Sequence, residues 1–239
     1  MNNVKQHFIS SVQFPLFVLI IMWVTHLVKA TIWPGLYMYG IYPRELIGLR
    51  GIFLSPFIHG DLGHLISNSA PLFLMMVMIL YFYRTVAMRS FLMIYFLSGL
   101  SVWLFARPVF HIGASGVVYG LVSFVFWSGV FRRSVKSIIL ALIVVFLYSG
   151  LIFGILPNDR GISWESHLLG GVVGLLTAYW YKEEIETDEE RRDPEWLSSG
   201  EPKEHFLPRD IFEKTKAERE QDPRTETCPK PSRSRIQGR

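Results

Sequence analysis

The stretch "HIGASGVVYG", residues 111–120, sets a serine among glycines where an apolar segment begins. Two readings of Ser115 compete. It is either a small residue that lets two helices touch, as small residues commonly do inside membranes, or a nucleophile held near a membrane surface. Taken alone, G-x-S-G favours the packing reading, so the rest of the chain has to decide.

The surroundings are not those of a soluble globule. Of the 20 Asp and Glu residues, only Glu45, Asp61, Asp159 and Glu165 precede residue 182, while 11 of the 24 Lys and Arg residues do. Residues 1–181 therefore carry a net +7 and residues 182–239 a net −3. This divides the chain into an apolar membrane domain, 1–181, and a polar cytoplasmic tail, 182–239. Prolines and charge runs leave that tail without enough apolar surface to fold, so it is expected to be disordered or transiently helical. The basic balance needs no nucleic acid, because the positive excess sits in loops between apolar segments, where it orients a protein against the bilayer. The single cysteine, Cys228, excludes an internal disulfide and a cysteine metal cluster.

Crossing about 30 Å of hydrocarbon takes roughly 20 apolar residues. Six such segments are predicted, at 9–29, 63–83, 91–110, 113–131, 136–156 and 164–181. The first, despite Lys5 and the apolar run 14–24, lacks a small-x-small cleavage site and reads as a retained helix rather than a signal peptide. An even number puts both termini on one side. Lys5, Arg84, Arg89, Arg132, Arg133 and Lys136 lie on that side in short loops, and the positive-inside rule makes it cytoplasmic, with the cell membrane as the expected location. The long connection 30–62 is rich in Trp and Tyr, which favour the membrane interface.

Polar groups inside spans are costly and tend to line a cavity or do chemistry. His64 and Asn68 fall at the start of the second predicted span, Ser115 at the start of the fourth and His167 at the start of the sixth. Even-numbered spans run in one direction, so all four groups share one depth. His64 and Asn68, at i and i+4, share a helical face. His167, Gly170 and Gly174 form a stripe at i, i+3 and i+7, and Gly116 and Gly120 form a matching small face on the fourth span. Packing those faces brings Ser115 towards His167, with Tyr119 one turn below the serine.

The residue types suit acyl transfer. A serine hydroxyl needs a base to take its proton, which a neutral imidazole does near pH 7. The developing oxyanion needs donors, which the Ser115 amide and the side chains of His64 and Asn68 would supply. Glu165 is two residues from His167 and faces elsewhere on a helix, so the expectation is a Ser-His dyad with Tyr119 packing where an orienting acid would stand. His59 and His64 do not make a metal pair, because a five-residue spacing splits them between helical faces. No H-E-x-x-H string occurs, Asp61 and Asp159 lie in predicted loops rather than spans, and the only acidic residue inside a predicted span, Glu165, stands at the very start of the sixth rather than deep in it as ion-coupled transport would need. No cofactor or metal is expected.

At these residues the chain resembles the rhomboid family of intramembrane serine proteases. "HGDLGHLISN" (59–68), "GASGVVYG" (113–120) and "HLLGGVVG" (167–174) match its three motifs in order. The Trp-Arg pair that many members carry in the first loop is absent, its nearest counterpart being "GLRG" at 48–51. The resemblance implies an all-α membrane protein, a six-transmembrane-helix rhomboid-like bundle with a long interfacial first loop. It implies Ser115 as nucleophile, His167 as general base and acid, and His64, Asn68 and the Ser115 amide as oxyanion hole, with His59, Gly113, Tyr119, Gly170 and Gly174 in support. Its expected partners are the lipid bilayer and transmembrane protein substrates, cut in or next to their membrane segments at small residues followed by helix-breaking ones. The alternative is a non-proteolytic relative, an adaptor or quality-control factor that binds membrane helices without cutting; such relatives typically lack the serine or the last histidine, and this chain has both.

Overall fold

The structure is a computed structural model that describes residues 2–157, 163–184, 186, 215, 217 and 218. Asp159 and Arg160, expected before the last span, and Cys228 with nearly all of the tail beyond 186 lie outside the described residues. By internal contacts the chain divides into two units at Glu190/Arg191. In the second unit Thr215 and Glu218 exchange hydrogen bonds, Thr215 N to Glu218 Oε2 at 2.7 Å and Glu218 N to Thr215 Oγ1 at 3.4 Å.

Among the described residues the first unit is helical, its single bridge being an antiparallel pairing of Ile41 with His111. Helix α1 spans Asn2–Thr31, followed by short helical turns at Pro34–Tyr39 and Leu46–Arg50, a single turn α2 (Gly51–Leu54) and a turn at Ser55–Phe57. Then come α3 (Leu62–Phe82), α4 (Ala87–Phe105), α5 (Ser115–Arg132), α6 (Val135–Tyr148) continuing as a 3-10 segment Ser149–Ile155, and α7 (Trp164–Trp180). Among the described residues four helices, Val4–Thr31, α3, α4 and α5, are long and apolar enough to cross a membrane. At 14 and 17 residues α6 and α7 are shorter. The outward faces are greasy, with Phe105, Phe146 and Trp180 each more than 70% exposed. Water does not tolerate such a surface and a bilayer does, so this is an integral membrane protein.

The helix boundaries correct the sequence expectation in three places. The third span, expected at 91–110, is α4 at Ala87–Phe105. Pro108 disfavours helical geometry at Arg107, so the helix ends early and 106–114 becomes a loop. The fifth, expected at 136–156, loses α-helical form at Ser149–Gly150 and tightens into the 3-10 turn. The first, expected at 9–29, extends over 2–31 straight through Pro15. Proline is tolerated in membrane helices; the carbonyl that Pro15 leaves without an amide partner is that of Ser11, and one turn earlier the hydroxyls of Ser10 and Ser11 donate to the His7 carbonyl at 2.7 and 3.0 Å.

Local signals start and stop the other helices. Asp61 caps α3, its carboxylate accepting from the His64 amide at 2.8 Å. Arg133, left-handed at φ 54°, ends α5, and Ser134 caps α6. The core runs along α3, α4 and α5 through Leu65, Met75, Ile79, Ile94, Leu121 and Phe124, all at most 1% exposed. Between helices in lipid the hydrophobic effect gains little, and close packing holds them instead. α5 and α7 meet backbone to backbone: a β-carbon on Gly170 would strike the Gly116 carbonyl, and one on Gly174 the Gly120 carbonyl.

Candidate active site

The glycine contact between α5 and α7 fixes which side chains converge at their N-terminal ends. Ser115 is the first residue of α5, so its amide is one of the helix's unsatisfied N–H groups. His167 sits in the first turn of α7. Both line a cavity of about 520 Å³, with His64 and Asn68 from α3, Tyr119 from α5, Leu151 from the 3-10 segment and Phe110 to Ile112 from the loop before Ser115. Four of the residues singled out in the sequence thus share one chamber with Tyr119. Among the described residues no hydrogen bond joins Ser115 to His167.

The imidazole of His167 is held from two sides. Its Nδ1 lies 2.8 Å from the Gly154 carbonyl, which only accepts, so Nδ1 carries the proton and Nε2 keeps a free lone pair. Its ring stacks on Tyr119, centroids 4.2 Å apart and planes 6° from parallel. Tyr119 in turn donates its hydroxyl to the Leu151 carbonyl at 2.7 Å. A β-carbon at Gly154 would meet the Tyr119 hydroxyl and His167 Nδ1, so glycine there is what lets the 3-10 segment reach both rings. The sequence named Tyr119 and missed Gly154. Backbone carbonyls carry no side-chain signature; the one available signal was Gly150 and Gly154 interrupting an otherwise apolar span.

The α3 side is equally constrained. Asn68 donates Nδ2 to the His64 carbonyl at 2.7 Å. Gly113, at φ +104°, has the tip of the His64 ring where a β-carbon would stand, Cε1 and Nε2 each 2.7 Å away. Only glycine meets both conditions. His59 does not line the cavity: its ring is fully buried behind His64, centroids 5.0 Å apart. Burial, and then the neighbouring His64, push its pKa down to about 4, so it is a neutral packing group. Lys29 at the end of α1 fastens this turn by donating to the carbonyls of His59 and Gly60 at 2.9 and 2.5 Å. Gly170 and Gly174 likewise stand outside the cavity and set the helix spacing. Among the described residues no group of three metal-ligating side chains assembles.

Two further ties escaped the sequence reading. Glu165 does face away from His167, and it pairs with Arg107 at 3.0 Å. His111 Nδ1 lies 2.6 Å from the Ser163 hydroxyl. Chemically, the chamber holds a hydroxyl, a neutral imidazole with one free nitrogen, and several N–H donors, which is the equipment of acyl transfer.

A family profile described as Rhomboid domain matches residues 48–184, a range that contains every residue lining the cavity. Uncharacterized proteins of Mycobacterium bovis and Mycobacterium tuberculosis are each 35% identical to this chain over 154 residues, 59% of this chain and 62% of theirs. An uncharacterized protein of Mycobacterium leprae is 31% identical over 144 residues, 55% of each chain. The chain thus aligns with about three fifths of the length of the curated relatives it matches first.

Proposed function

Since the chain belongs to the rhomboid family, we propose that it is an intramembrane serine protease that hydrolyses peptide bonds in or beside the transmembrane segments of other membrane proteins. Ser115 Oγ attacks the scissile carbonyl while His167 Nε2 takes its proton. The negative charge on the carbonyl oxygen is met by the Ser115 amide, His64 and Asn68. His167 then protonates the departing amine, leaving an acyl-serine. Water, deprotonated by the same imidazole, attacks that ester, and the proton returns to Ser115 Oγ as the new carboxyl end leaves.

The observation that carries this reading is the state of His167. Its Nδ1 proton is committed to a backbone carbonyl and its ring is clamped on Tyr119, so the nitrogen left over is a base, in a chamber it shares with Ser115, the first residue of α5. The Gly154 carbonyl takes the place of the acid in a triad, fixing the tautomer without adding a charge. Ser115 and His167 close on one another when substrate binds, as loosely set resting sites commonly do.

In this reading α6 and α7 complete six crossings, both termini are cytoplasmic, the protein sits in the cell membrane, and a polar tail follows from residue 182. The substrate enters sideways from lipid and unwinds locally, because a formed helix hides its carbonyls. Small residues at the cut and helix breakers after it suit that step. A fluorophosphonate probe tests the assignment: labelling of wild type, lost in Ser115→Ala, supports a serine enzyme, and an unlabelled wild type that still captures membrane helices favours the adaptor.

A further inference from the structure

The glycine faces of α5 and α7 set how far apart the helices stand, and deeper in the bundle their register is held by the Ser123 hydroxyl, which donates to the Gly171 carbonyl at 2.6 Å, and by the Tyr119–His167 stack. A base that must meet a hydroxyl within a few tenths of an ångström also needs the ends of the two helices that carry the reacting groups held in register.

A tie of that kind is visible at the cavity mouth. The loop 106–114 runs directly into Ser115, and residues 163–166 run directly into His167. The two segments are tied twice. Arg107 Nε pairs with Glu165 Oε1 at 3.0 Å, the Glu165 side chain being only 9% exposed. His111 Nε2 faces the Arg107 carbonyl at 3.0 Å and so carries the proton; Nδ1 therefore accepts from the Ser163 hydroxyl at 2.6 Å. Ser163 in turn accepts from the Ser166 hydroxyl at 2.5 Å, which gives the chain of bonds one direction from Ser166 to the Arg107 carbonyl. The imidazole stays neutral, since burial holds His111 below the usual histidine range.

We propose that the Arg107–Glu165 pair, seconded by the His111–Ser163 bond, is a positioning device that holds the register of His167 against Ser115 at the cavity mouth. This rests on the proteolytic reading of the site. The pair touches neither reacting atom; it acts by tying the segment before the nucleophile to the segment before the base. A buried carboxylate is suited to this, because its partner must stay in place or leave a charge stranded.

The test is a kinetic cycle on cleavage of a single-span reporter in liposomes, with kcat and KM for wild type, Arg107→Ala, Glu165→Ala and the double variant, and the swap Arg107→Glu with Glu165→Arg. Each single change is expected to lower kcat about 10- to 100-fold, with KM within about twofold of wild type. The double variant is expected to be no worse than the weaker single, and the swap to recover part of the loss. The fluorophosphonate labelling rate of folded protein falls in step with kcat. A rise in KM at constant kcat, losses that multiply, or unchanged kinetics overturn the positioning role. Should Glu165→Ala not fold, Glu165→Gln and Ser163→Ala report the same two ties with the volume nearly kept. An active wild type with indifferent variants refutes the device alone, whereas a wild type that neither cuts nor labels refutes the proteolytic reading and the device with it.

Discussion

Tyr119 and His167 lie face to face, 4.2 Å between ring centroids and 6° from parallel, while separate carbonyls of one 3-10 segment hold the Tyr119 hydroxyl and the His167 Nδ1. The two rings and the segment therefore move as one unit. Tyr119→Phe keeps the stack and loses one hydrogen bond, so kcat is expected to fall by less than about 10-fold; Tyr119→Ala frees the imidazole and is expected to lose about 100-fold. Reporter kinetics on folded protein check this, and equal losses from the two variants would contradict a stacking role.

Gly170→Ala and Gly174→Ala each drive a methyl into a backbone carbonyl of α5. Neither backbone can yield without parting the helices, so each is expected to destabilise by about 1–3 kcal/mol and to abolish cleavage. Gly171→Ala is the control, since nothing lies within 4 Å of its β-carbon position. Thermal unfolding in detergent should leave Gly171→Ala near wild type, and a parallel drop in all three variants would argue against the backbone contact between α5 and α7.

How much of the molecule is legible in its sequence varies by residue. The spacings Gly116–Gly120 and Gly170–Gly174 follow from helical periodicity, and the convergence of His64, Asn68, Ser115 and His167 from the alternating direction of spans, so the chamber is readable. The early end of α4 is readable in principle from Pro108, but apolar composition continues to Phe110 and masks it. The break at Ser149–Gly150 is hidden likewise, because hydropathy measures side chains and not backbone geometry. Gly154 and Leu151 act through their carbonyls, which no sequence pattern marks. The Arg107–Glu165 pair joins residues far apart in the chain and exists only once α5 and α7 are packed.

In the proposed mechanism His64 and Asn68 donate to the oxyanion. His64→Ala and Asn68→Ala are each expected to reduce kcat about 10²- to 10³-fold with little change in KM, the size found for removing one such donor. Fluorophosphonate labelling should slow in step. A loss expressed in KM alone would instead make them substrate-binding groups.

His59 supplies a pH dependence of stability. Its folded pKa, lowered to about 4 by burial, lies below that of the unfolded chain near 6.5. The folded state thus favours the neutral ring: the contribution is fully present above about pH 6.5 and is lost as pH falls towards 4. Between pH 7 and 5 the loss amounts to roughly 2 kcal/mol. Thermal unfolding across this range should fall less steeply in His59→Gln than in wild type, and identical slopes would remove His59 from the account.

The most direct measurement is cleavage of a single-span reporter, with a small residue and a helix breaker at its membrane edge, by wild type, Ser115→Ala and His167→Ala in liposomes. The expected result is a discrete cut by wild type and none by either variant, with all three proteins equally folded. Cutting that persists in Ser115→Ala would contradict the Ser-His mechanism outright.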